Sequence, residues 1–216
     1  MQTTIKPILT DIILIDIIGY SKLNNTQQFK VVNIMTKFFK KAIELMLKKS
    51  RITESEAILG FIATGDGFFI ILSEKLKGYG VILALSLKNI SKNIKMRLDF
   101  FQGIKVAVHY GEVMEFRDIL NHKNFIGDGL NNCARYLDYK TRDKNVLKHI
   151  THGYVIISEE ASHEFNKFLQ RNRKIFELLN SLEFQNSDPF GFNDKHKYPH
   201  YGCFVWTKKE VVITPP

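Results

Sequence analysis

Phe61-Ile62-Ala63-Thr64-Gly65-Asp66-Gly67-Phe68-Phe69-Ile70-Ile71-Leu72 is the stretch on which the reading of this chain turns. Two apolar runs flank Thr64-Gly65-Asp66-Gly67, the pattern of a buried β-hairpin whose tight turn uses glycines to reach backbone angles that other residues avoid. Asp66 stands at its tip. Asp-Gly is ordinary turn chemistry, yet a carboxylate held between two core strands is also a hard ligand for a divalent cation. Asp16, placed in a matching way on another strand, gives the second reading its weight.

Asp11 to Ile18 is almost unbroken Ile and Leu apart from its two aspartates, as expected of a central strand covered on both faces. A charge at Asp16 needs a partner there, and a metal ion is the obvious one. Gly19-Tyr20-Ser21 ends the strand and turns the backbone, leaving amide N–H groups to meet phosphate oxygens near the start of the next helix. Asn24 or Asn25 caps that helix. It runs to about Lys49, with Phe29, Val32, Phe39, Ile43 and Met46 as its apolar stripe and Lys40-Lys41 and Lys48-Lys49 on its solvated face.

Arg51 to Glu56 is a polar connection into the hairpin. A second helix, about Leu76 to Ile94, turns Leu83, Leu87 and Ile90 toward the core and its lysines toward water. Phe101 to His109 is a strand, Tyr110-Gly111-Glu112 a turn, and Val113 to Phe116 a short partner strand; His109 at the strand end is a structural histidine or a catalytic one. Asn124 to Gly129 is a glycine-bearing loop leading into a helix from about Leu130 to Thr141. Asn131 and Arg135 lie four apart on it, so an amide and a guanidinium share one face and can meet the same anion, or simply face solvent. Tyr154 to Ser158 is a strand and Glu159 to Phe168 a helix capped by Ser158. Asn186 to His200, rich in turn residues, is expected to be a long loop and Gly202 to Lys208 a last strand. Interleaved strands and helices predict an α/β sandwich with helices packed on a mixed sheet.

At 216 residues the chain suits one domain. No apolar run approaches the length of a membrane span, and Met1 to Thr10 lacks the features of a secretory signal, so a cytoplasmic protein is expected. Cys133 and Cys203 lack metal-ligand spacing and are expected to be buried and unpaired. The formal charge of +9 fits a polyanionic partner such as a nucleoside triphosphate. Its lysines and arginines are scattered, without the basic run and interleaved aromatics of a nucleic-acid platform.

Four stretches together resemble the class III nucleotidyl cyclase catalytic domain: Ile15 to Ser21, Thr64 to Phe69, Ile104 to Val113, and Ile126-Gly127 through Asn131 to Arg135. They follow the family's order over about residues 11–160 of a single 1–216 domain, and about 177–216 is left without a clear pattern. The resemblance implies a mainly antiparallel sheet. It implies two divalent ions, Mn2+ or Mg2+, held by Asp16 and Asp66 with the backbone of Ile17, and a phosphate-facing turn at Gly19, Tyr20 and Ser21. Asn131 and Arg135 match the family's transition-state pair. A head-to-tail homodimer is implied as well, with the aspartates of one subunit facing the Asn and Arg of the other.

The chain departs from the family where the base is read. Purine cyclases place Lys and Asp, or Glu and Cys, at the positions held here by Ile62 and Asn124. Without those polar readers the usual purine preference is lost, and the compact catalytic domain resembles the pyrimidine cyclases of bacterial anti-phage Pycsar systems, which make cyclic UMP or cyclic CMP as an alarm signal for a downstream effector. UTP is favoured slightly over CTP on family frequency. The alternatives are an adenylate or guanylate cyclase with an atypical base pocket, and an inactive nucleotide-binding or dimerisation module.

Overall fold

A computed structural model describes residues 6–50, 52–139, 153–172 and 183–208. The elements are β1 (Ile8–Ile17), α1 (Asn25–Ser50), α2 (Glu54–Ala57), β2 (Ile58–Ala63), β3 (Gly67–Leu72), α3 (Gly80–Arg97), β4 (Ile104–Arg117), β5 (Lys123–Ile126), α4 (Asp128–Leu137), β6 (Tyr154–Ser158), α5 (Glu159–Arg171), β7 (Phe184–Asn186), β8 (Phe190–Asn193) and β9 (Pro199–Thr207). The described strands form one sheet in the order β2-β3-β1-β4-β6-β9-β7, with β5 on β4 and β8 on β9. Only the β4–β6 pair is parallel, so the expected mixed, mainly antiparallel sheet with helices packed on it is the fold found.

Period-two alternation divides β1 between two cores. Ile13, Ile15 and Ile17 join residues of α1, α3 and α5, while Ile12 and Leu14 meet Cys133 and Tyr136 of α4. Asp11 therefore points to the side of α1, α3 and α5, and Asp16 to the side covered by α4. Buried Asp11 accepts a hydrogen bond from the Gly80 N–H at the start of α3, 3.1 Å, where a helix N-terminus favours a carboxylate. Both cysteines are buried and free. No helix among the described residues is long and apolar enough to cross a membrane.

Several local expectations are corrected. β4 runs straight through Tyr110-Gly111-Glu112, with Gly111 opposite Thr10 in the β1 ladder. Glycine is there for close approach: a Cβ on Gly111 would come within 3.0 Å of the Gly129 Cα at the start of α4. Residues 124–126 are strand, α4 begins at Asp128 and ends at Leu137, and Thr141 lies outside the described residues. α5 extends to Arg171, and residues 54–57 of the polar connection form a helical turn with a Thr53–Glu56 capping box.

The core stripe of α1 is Val31, Met35, Phe39, Ala42, Ile43 and Leu47; Phe29 and Val32 are exposed, and the Met46, Lys48 and Lys49 side chains lie outside the described residues. Asn24 caps α1 reciprocally with Gln27, each backbone N–H donating to the other's side chain at 3.0 Å. Lys88 is not turned to water, because its Nζ donates to the Ile104 carbonyl, and burial, then Lys92, lowers its pKa to about 8. The long loop at 186–200 is instead largely the β8–β9 hairpin. Phe190 and Phe192 alternate along β8 and pack on Tyr139, Phe190 stacking at 4.2 Å between ring centres, an aromatic ladder hidden by turn-rich composition. β9 accordingly starts at Pro199. Of the expected buried hairpin, β3 is covered from Phe69 onward while edge strand β2 is half-buried or exposed.

Candidate active site

Asp16 and Asp66 are brought together by the register of two strands. Asp16 pairs with Gly67 across β1 and β3, and the Ile17 N–H donates to the Asp66 carbonyl at 2.8 Å. Thr64 N–H donates to the Gly67 carbonyl at 3.0 Å, closing a loop in which Gly65 has φ +91°. Burial raises the Asp16 pKa; Lys105 opposes this, and the nearby Asp66 carboxyl raises it further. Two carboxylates this close repel each other, so the site favours a cation between them.

Lys105 is the cation found beside them. It pairs with Asp16 in the β1–β4 ladder, and its Nζ lies 3.6 Å from the Asp16 carboxylate. Ala107, two residues on, belongs to the α4-side core, so Lys105 shares the face of Asp16. Sequence reasoning passed over it; the only available signal was a lone basic residue in an otherwise apolar strand.

Gly19 has φ +71° and opens a single 3-10 turn, Tyr20–Lys22. Among the described residues the N–H groups of Gly19, Tyr20 and Ser21 donate to nothing, which is the state expected of an anion-facing turn. On the same face as Asp16, α4 carries exposed Asn131 and half-buried Arg135. Arg135 does not reach the aspartates. Its Nε binds Asp194 Oδ2 at 2.8 Å and its Nη1 donates to Asn132 Oδ1 at 2.7 Å. Nothing local in the sequence marks Asp194 or Asn132 for this role, since Asp194 sits in a turn-rich stretch and meets Arg135 only through tertiary packing.

Ile62 is half-buried on β2 and packs on the α4-side core. Asn124 lies on β5 opposite Phe116, and its Oδ1 accepts from the Phe125 N–H at 2.8 Å. His109 is structural: it is buried, its Nδ1 lies 2.9 Å from Ser158 Oγ, and burial outweighs the pull of Glu160 to lower its pKa to about 4.

The fold recurs in solved structures. The guanylyl cyclase Cya2 superposes with a TM-score of 0.61 at 15% identity over 93% of each chain. The chain has the class III nucleotidyl cyclase fold. The monomeric guanylyl cyclase domain of the RhoGC fusion protein from the aquatic fungus Blastocladiella emersonii matches at 0.59 and 14% identity, over 95% of this chain and all of that one. An adenylate/guanylate cyclase/hydrolase from Silicibacter pomeroyi matches at 0.53 and 16%, over 93% and 97%. No protein-family model and no curated protein matches the chain.

A metal fits this cyclase fold's acidic corner only in part. Among the described residues no group of three or more His, Cys, Asp or Glu side chains could hold an ion. Two carboxylates suit an ion such as Mg2+, which takes one or two protein oxygens and completes its shell with water and substrate phosphates.

Proposed function

We propose that the chain is a metal-dependent nucleotidyl cyclase that converts a pyrimidine nucleoside triphosphate, UTP before CTP, into its 3′,5′-cyclic nucleotide and pyrophosphate. The ribose 3′-oxygen bonds to the α-phosphorus as its proton passes to solvent water, and the bond from that phosphorus to the α,β-bridging oxygen breaks, releasing pyrophosphate. The observation carrying this reading is the Asp16–Asp66 pair, set by the Asp16–Gly67 register on the α4 side of the sheet. Asp16 and Asp66, with the Ile17 backbone, would hold the divalent ions, which polarise phosphate oxygens and neutralise the leaving pyrophosphate.

The remaining work falls to the chain's own groups. The unused N–H groups of Gly19, Tyr20 and Ser21 bind phosphate oxygens. Asn131 and Arg135 donate to the charge that builds at the reacting phosphate, where each such donor is worth about a hundred- to a thousandfold in rate. Arg135 and Asn131 have no bond to the aspartates within one chain, so this reading includes a homodimer that brings them across from a second copy.

Base choice rests on Ile62 and Asn124. Asn124 Oδ1 accepts the Phe125 N–H, which orients the side chain; its NH2 can donate to the O4 of uracil while the oxygen keeps a second lone pair for an amino group, so UTP is placed before CTP on the resemblance alone. The resemblance to the Pycsar cyclases extends this reading to a cytoplasmic second messenger in anti-phage defence, acting through a downstream effector.

Incubation of the purified protein with ATP, GTP, CTP and UTP and manganese, with products read by mass, tests the proposal. A cyclic pyrimidine is expected, and turnover should vanish in Asp16→Ala and Asp66→Ala while both variants remain folded. A dominant cyclic purine would retain the chemistry and overturn the base assignment, in line with the adenylyl and guanylyl cyclases that share the fold. Full activity in either aspartate variant would overturn the assignment of the site.

A further inference from the structure

We propose that Asp194, at the start of the β8–β9 turn, is the positioning residue that sets the guanidinium of Arg135. This rests on the reading of Arg135 as a group that meets the reacting phosphate. Asp194 Oδ2 takes the Nε–H of Arg135 at 2.8 Å, and Asn132 Oδ1 takes an N–H of Nη1 at 2.7 Å. A planar guanidinium gripped at two of its nitrogens cannot swing. Among the described residues, three of its five N–H groups, both on Nη2 and one on Nη1, remain to serve an anion.

The carboxylate that does the gripping is itself held. Asp194 Oδ1 accepts from the backbone N–H groups of His196 at 2.8 Å and Tyr198 at 2.9 Å, closing the turn. Oδ2 also faces His200 Nε2 at 3.4 Å, and the Asp194 side chain is only 4% exposed. Burial alone would raise its pKa, but the Tyr198 and His196 N–H groups, His200 and Arg135 outweigh burial and hold the carboxyl below the usual range. His200 is buried in turn, its ring 5.2 Å from that of Phe192 and 5.8 Å from that of Tyr136. Tyr136 OH donates to the Tyr201 carbonyl at 2.9 Å, tying α4 to β9. The hairpin thus reaches across the chain to fix one side chain on α4, one turn of helix beyond Asn131.

An ordinary surface ion pair would join two free-swinging groups; here both partners are pinned by further bonds. A neutralised arginine gains little ground-state attraction for a triphosphate, so the benefit of Asp194 is orientation, realised in the transition state. Loss of the grip should therefore lower kcat and leave KM nearly unchanged.

The test is a kinetic cycle on the full chain with the nucleoside triphosphate it turns over best, comparing wild type, Arg135→Lys, Asp194→Asn and the double variant. Asp194→Asn keeps an oxygen for the turn and removes the charge facing Arg135. It is expected to lower kcat by about 10- to 100-fold with KM within about threefold, and to add less than about twofold to Arg135→Lys, since it acts through that residue. An unchanged or raised kcat, or losses that multiply, would overturn the proposal. Asn132→Ala, which removes the other grip without touching the turn, gives the same kcat-against-KM comparison if Asp194→Asn folds poorly. The Arg135 Nε–H resonance, assigned through Arg135→Lys, supplies a readout independent of turnover. It should shift in Asp194→Asn, and an unmoved signal counts against the grip. Wild-type turnover by Arg135→Lys would instead remove the reading of Arg135 itself, leaving the resonance to report on the pair.

Discussion

Gly67 stands directly opposite Asp16 across β1 and β3, and a Cβ placed on it would overlap the carbonyl oxygen of Ile15. No side chain fits there without separating the strands that carry the two aspartates. Gly65, one residue before Asp66, is different: open space surrounds it, and only its φ of +91° opposes a side chain. Gly67→Ala should therefore destabilise by about 1–3 kcal/mol and lower turnover at least about tenfold by displacing Asp66. Gly65→Ala should lose about 1–2 kcal/mol to left-handed strain and keep most of its activity. Urea unfolding and initial rates on both variants check this; equal losses of turnover would remove the distinction.

Two buried groups titrate with opposite sign. Burial, against the N–H groups of Gly80 and Gly78 and beside Glu164 and Lys77, raises the Asp11 pKa from 3.8 to about 6. The folded state then binds the proton more tightly than the unfolded state, so this contribution is fully present below about 3.8 and is lost as pH rises through 6. His109 runs the other way, its pKa lowered from 6.5 to about 4 by burial against Glu160, with His200 adding to the drop. Its contribution is present above about 6.5 and lost as pH falls through 4. In wild type the two offset each other between pH 4 and 6. Asp11→Asn should expose the histidine: relative to wild type it should lose about 3 kcal/mol on going from pH 7 to pH 4, read from urea midpoints at the two pH values. A difference that stays constant with pH would show that Asp11 has the same pKa folded and unfolded.

Ile62 and Asn124 make a prediction about the base. Replacing them together, Ile62→Lys with Asn124→Asp, installs the polar pair of adenine-reading cyclases. The ratio of ATP to UTP turnover should rise at least about tenfold, the scale of a modest change in pocket contacts. A ratio unmoved in the double variant, with overall activity retained, would place base recognition elsewhere in the site.

Strands buried on both faces were the most legible elements. β1, β3 and β6 are runs dominated by Ile with Leu, Phe or Val, and local composition alone marks such runs. Ser158 was legible as a cap because its hydroxyl accepts the Ala161 N–H three residues on, at 3.1 Å, an interaction local in the chain. Glycine misled at Gly111, where the residue serves the approach of α4 rather than a turn. Phe29 and Val32 misled because a helical repeat admits two adjacent faces, and only packing chooses Val31, Met35 and Phe39 for the core.

Within the candidate site, the parts legible in the linear chain are those that depend on near neighbours. These are the carboxylate at the tip of a Gly-Asp-Gly hairpin, the turn at Gly19, and an amide and guanidinium one helical turn apart on α4. What each of these groups faces is set by the packing of distant elements. Lys105 meets Asp16 because β4 lies beside β1 in one register, and Arg135 meets Asp194 because the β8–β9 hairpin folds back over the end of α4. Periodicity is written into consecutive residues, whereas strand register and the docking of distant elements emerge from the packing of the whole sheet.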